Sequence, residues 1–96
     1  MSRVIWSQDA KLALERIYHF LAIRDKVLAK RALSKIYQGA KMLDAQPLLG
    51  HSLPNTRPAG RELLVRFGRG GYLLRYIIEN DRVVILGVRH SRQLPP

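Results

Sequence analysis

Between Arg61 and Arg89 the chain carries three β-prone runs, "RELLVRF", "YLLRYIIE" and "RVVILGVR", joined by "GRGG" and "ND". Connections this short make consecutive strands pair antiparallel. In the middle run Tyr72, Leu74, Tyr76 and Ile78 fall on one face, and Leu73, Arg75 and Ile77 on the other. Strict alternation in the last run puts Val84, Leu86 and Val88 on one face, with Val83 and Ile85 opposite. Strands that are apolar on both faces lie centrally or under cover. The segment therefore needs a second layer.

That layer is written upstream. From Ala10, the set Ala10, Ala13, Leu14, Ile17 and Leu21 recurs at spacings of three and four, with Tyr18 and Phe20 widening the face. Ser7 is placed to cap this helix, and Asp9 suits its first turn. Asp25 interrupts the pattern and can cap a second helix, in which Ala29, Leu33, Ile36, Ala40 and Leu43 repeat the same spacing. So short a break predicts an antiparallel helical hairpin. Gly39 weakens the second helix by about 1 kcal/mol unless close packing needs it. Pro47 and Gly50 end that helix, and "RVIW" at residues 3–6 reads as a short first strand. The long "QPLLGHSLPNTRPAG" predicts a loop that is functional or wraps the domain edge. The fold class is α+β: an N-terminal strand and an antiparallel helical hairpin packed on a small antiparallel β-sheet, as one domain over residues 1–96.

Charge narrows the function. Lys and Arg number 17 against 7 Asp and Glu, a net charge of +10, which points to an anionic partner: nucleic acid, an acidic protein or a membrane surface. All the lysines precede Arg57, and from there every Lys/Arg cation is arginine, whose planar fork suits phosphate or carboxylate. No apolar run reaches the ~18 residues of a membrane span, and the first residues lack a secretory signal pattern. Absent cysteine excludes thiol chemistry and fits a reducing cytoplasm. Separated His19 and His51 with scattered acids give no metal site, and no cofactor motif is present. "GRGG" joins strand to strand with no helix behind it, so it is a hairpin turn rather than a phosphate cradle.

The closing "RHSR" is the strongest candidate site, because a strand of core composition ends there in concentrated positive charge. Arg89 and His90 point to opposite faces, as do Arg61 and Arg66, so these cations meet only where strand ends and loops converge. The alternative is a set of solvated strand ends guarding the sheet edge. His90 has the chemistry of a general acid or base, but without a located partner its role reads as structural. Tyr72 and Tyr76 share a face with Leu74 and Ile78, which assigns them to packing under the helices rather than to base stacking.

In their order and spacing these pieces resemble the ParE/RelE toxins of bacterial type II toxin–antitoxin modules. The likeness covers nearly the whole chain: the first strand, the hairpin ending in "LDAQPLLG", "GRELLVRF", "YLLRYIIENDRVVILGV" and "RHSR". His90 and Arg92, directly after the apolar last strand, are its most telling element. The resemblance implies a helical hairpin on an antiparallel sheet, a cytoplasmic protein, and an acidic antitoxin as partner. It also implies one of two activities. ParE-like members poison DNA gyrase; RelE-like members cleave mRNA on the ribosome, and for that chemistry Arg61, Arg89 and His90 match the catalytic roles. Here there is no lysine after Lys41, no aromatic residue after Tyr76 and no terminal tyrosine, while Pro47 and Gly50 form the "P-x-x-G" of the ParE branch. Gyrase inhibition without catalysis is the expected activity, with an mRNA interferase or a non-toxic basic nucleic-acid-binding module as alternatives. The expected target-binding residues are Arg61, Arg66, Arg75, Arg89, His90 and Arg92. Those expected to meet the antitoxin are Leu12, Ile17 and Leu28, beside the basic ridge of Lys30, Arg31 and Lys35.

Overall fold

Ser7 turns the first strand into the first helix. Its hydroxyl accepts from the Ala10 amide at 3.1 Å, satisfying one of the orphan donors of the helix start. A computed structural model describes residues 3–57 and 59–92; Pro58 of the long loop and the tail at 93–96 lie outside the described residues. Strand β1 (Arg3–Trp6) leads into α1 (Gln8–Ala22), which a three-residue turn joins to α2 (Lys26–Ala45). Asp25 caps α2, accepting from the amides of Val27 at 2.9 Å and Leu28 at 3.2 Å. Four more strands follow: β2 (His51–Leu53), β3 (Gly60–Phe67), β4 (Gly70–Glu79) and β5 (Arg82–His90).

The strands form one sheet in the order β1-β5-β4-β3-β2. The three long strands pair antiparallel as their turns require, and Asn80 and Asp81 both take positive φ, the geometry of a type I′ hairpin. Two additions come from outside that meander. β1 joins parallel to β5, and β2 pairs with β3 so that the long loop wraps the far sheet edge. The helical hairpin covers one face, with α1 over β5 and α2 reaching β1, β3, β4 and β5. Ala10, Leu14, Ile36, Leu43, Leu74, Tyr76, Val83 and Ile85 make the core between the layers. Gly39 is buried against Val65, whose side chain occupies the space a Cβ would need, so close helix–sheet contact explains this helical glycine.

Strict alternation fails in β5. Arg75 opposes Gly87 while Tyr76 opposes Ile85, so Leu86 is an extra residue in a β-bulge. The bulge returns Val88 to the buried face with Val83 and Ile85, correcting the expected grouping of Val84, Leu86 and Val88. Ser7 secures it from the neighbouring strand end, donating from its hydroxyl to the Leu86 carbonyl at 3.3 Å. Phe20 also departs from expectation. It does not widen the core face of α1 but is 68% exposed.

Candidate functional site

The two layers part at the end of the sheet where β5 finishes, leaving a cleft of about 670 Å³. The second half of α1 supplies Arg16, Ile17, Phe20 and Leu21; the end of β3 supplies Phe67 and the turn after it Arg69; Tyr72, His90 and Arg92 complete the wall. The floor is aromatic and aliphatic. Tyr72 meets the edge of His90 with ring centroids 5.4 Å apart and tilts against Phe67 at 6.3 Å. The turn after β5 is tied to that imidazole, since the Arg92 amide donates to His90 Nδ1 at 3.1 Å. Among the described residues, every ionisable side chain in the lining except the tyrosine is basic: Arg16, Arg69, His90 and Arg92. A cleft of this kind suits an apolar group carried beside a negative charge.

Burial pushes the Tyr72 phenol above its ordinary pKa. Because the folded state holds this proton more tightly, stability is unaffected below the usual tyrosine range near ~10 and falls as pH rises through it. Urea midpoints at about pH 8 and about pH 11 should show this loss, and Tyr72→Phe should reduce it.

The expected target-binding residues do not form one site. His90 and Arg92 stand in the cleft. Arg61 lies toward the β2 edge, where its Nε donates to the Gly50 carbonyl at 2.9 Å and its Nη2 to the Leu48 carbonyl at 3.3 Å. Arg89 is on the helix-free face of the sheet, paired with Glu62 at 3.5 Å. Arg75 shares that face by register, opposite Glu62, and its Nε is buried without a hydrogen-bond partner. Arg66 is exposed on the same face. Arg61 opposes Tyr76 and His90 opposes Tyr72, four residues apart along β4, which is about 13 Å at the strand rise of ~3.3 Å.

Of the residues expected to meet an antitoxin, Ile17 is half-buried and lines the cleft with His90 and Arg92. Leu12 is exposed on α1 and Leu28 is half-buried, while Lys30, Arg31 and Lys35 are exposed on α2. Sequence reasoning did not single out Arg16, Phe67 and Arg69 as partners of the "RHSR" end. The exposed Phe20 was the available signal, an aromatic residue at the edge of a helical stripe beside Arg16 at i−4.

A family model described as "ParE toxin of type II toxin-antitoxin system, parDE" matches residues 4–95. The chain belongs to this family. A curated relative, Toxin RelE3 of Caulobacter vibrioides (strain ATCC 19089 / CIP 103742 / CB 15), is 35% identical over 91 residues, covering 95% of this chain and 96% of the relative. The fold of this ParE-family protein also matches a solved structure titled "Chromosomal ParDE TA system from P. aeruginosa". That match has a TM-score of 0.76 at 22% identity and covers 94% of this chain and 96% of the other. The ParE/RelE resemblance and the α+β hairpin-on-sheet architecture are thereby established. Among the described residues no helix is long and apolar enough to cross a membrane.

Proposed function

We propose that this ParE-family toxin arrests growth by binding DNA gyrase, without cleaving RNA, and that an acidic antitoxin silences it. The separation of Arg61, Arg89 and His90 carries this reading. Ribonuclease chemistry would need those groups around one phosphate, because charge stabilisation and proton transfer act only within hydrogen-bond reach of the reacting atoms. Here Arg61 is engaged by loop carbonyls, Arg89 is paired on the opposite face of the sheet, and His90 sits in the cleft. A toxin that works by occupying a protein surface needs no such convergence.

The cleft supports the antitoxin part of the proposal. An acidic segment with apolar side chains would bury the latter against Phe67 and Tyr72 and set its carboxylates beside Arg16, Arg69 and Arg92. Apolar burial offsets the entropy of ordering a disordered partner, while the charges speed encounter. Occupation of the cleft would also cover His90 and Arg92, two of the proposed target contacts.

The test is induction of the toxin alone in a sensitive bacterial host, followed by mapping of mRNA ends. Growth arrest with intact message is expected. Cleavage at codons in the ribosomal A site would instead favour the mRNA interferase reading and make Arg61, Arg89 and His90 catalytic candidates.

A further inference from the structure

The "QPLLG" segment after α2 is held with unusual completeness for a surface loop. It begins as a turn in which the Leu49 amide donates to the Gln46 carbonyl at 3.1 Å, with Pro47 at the position where its fixed φ is favourable. Tyr76, fully buried in the core, sends its hydroxyl up into the loop, donating to the Pro47 carbonyl at 2.7 Å and accepting from the Gly50 amide at 2.9 Å. Arg61 closes the other side through the Gly50 and Leu48 carbonyls. A Cβ on Gly50 would lie 2.7 Å from the Tyr76 hydroxyl and 2.8 Å from the Glu62 carbonyl, so the backbone can seat this close only as glycine. These bonds turn polar groups of the loop inward. Between the exposed Gln46 and His51 the loop then presents two apolar side chains to solvent, Leu48 at 67% and Leu49 at 41% exposure.

We infer that Leu48 and Leu49 are a preorganised apolar contact that inserts into a hydrophobic pocket of the toxin's folded protein target. The inference rests on the protein-target reading above and names the residues that make the contact. Two adjacent leucines offer nucleic acid neither charge nor a hydrogen bond, whereas a protein pocket gains from both. A second copy of the chain is disfavoured, because each brings a net charge of +10. Rigidity selects among the remaining partners. Ordering costs met in advance by Tyr76 and Arg61 raise affinity most when the receiving surface is also rigid, while a disordered antitoxin adapts to any surface at its own entropic cost. Arg61, expected to contact the target directly, thus acts as a positioning residue for Leu48.

The test compares the parent protein, Leu48→Ser/Leu49→Ser and Tyr76→Phe in gyrase supercoiling inhibition, with melting curves as fold controls. The double variant should melt like the parent, since both side chains are exposed, yet need on the order of tenfold more protein for half-inhibition. Tyr76→Phe, assayed well below its melting temperature, keeps both leucines but frees the loop, and should show a smaller loss. If the parent inhibits gyrase and the double variant does so equally, the loop inference fails while the gyrase reading stands. If the parent leaves gyrase untouched, the gyrase reading fails, and growth arrest decides the loop: arrest lost in the double variant supports a different protein target, and arrest retained overturns the inference. Full inhibition combined with loss of rescue by a co-expressed cognate antitoxin would assign the leucines to the antitoxin and overturn the choice of partner.

Discussion

Tyr76→Ala is expected to destabilise the protein by about 3–5 kcal/mol, the range for removing a large buried side chain from a close-packed core. Tyr76 is the largest fully buried side chain and lies among Ile36, Leu43, Leu74 and Ile85 in the central cluster. Its loss would open a cavity and also leave the Pro47 carbonyl and Gly50 amide without the hydroxyl that joins them. A domain of this size has ~5–15 kcal/mol in total, so the melting temperature should fall by about 12 °C or more. Tyr76→Phe separates the two contributions. It keeps the ring and should cost about 1–3 kcal/mol, the penalty for stranding buried polar partners. Thermal melts of both variants check this. A Tyr76→Ala protein as stable as the parent would mean that the loop and core collapse around the missing ring, and the rigid-loop account would fall with it.

Much of the architecture could be read from local pattern. The spacing of Ala10, Leu14, Ile17 and Leu21, and of Ala29, Ile36, Ala40 and Leu43, encodes one apolar stripe per helix, and the structure buries or half-buries each of these residues. Ser7 and Asp25 cap the helices by hydrogen bonds of a few residues' range, and Asn80-Asp81 sets its turn by its own backbone angles. Tyr72 and Tyr76 pack under the helices as their strand face implies. Gly39 signalled a close contact, although its partner Val65 lies too far along the chain to be read from spacing.

What escaped the sequence depends on distant pairings. The bulge at Leu86 is invisible in "RVVILGVR", because its carbonyl is satisfied by Ser7, 79 residues away, and one extra residue reverses the face of Val88. The cleft is hidden for the same reason. Arg16 and Phe20 meet Phe67, Tyr72 and His90 only because α1 lies over β5 and the β3–β4 turn stands beside it. The arginines were recognised as a charge excess, but their partners decide their work. Strand register sets Arg89 on the helix-free face, where Glu62 pairs with it, and the Gly50 and Leu48 carbonyls hold Arg61 at the loop. Composition shows that a surface is basic; it does not show which cations remain available to a ligand.

Occupation of a protein surface, rather than chemistry at the "RHSR" end, is the proposed mode of action of this toxin. Its direct measurement is ATP-dependent supercoiling of relaxed plasmid by purified gyrase, titrated with the refolded, antitoxin-free toxin. None of the contacts proposed here requires convergence of Arg61, Arg89 and His90. Dose-dependent loss of supercoiling is predicted, with His90→Gln weakening inhibition by no more than about tenfold, the scale of one lost surface contact, whereas a general acid or base would contribute ~10²–10⁴-fold. The contrary result is undiminished supercoiling at toxin in large molar excess over gyrase.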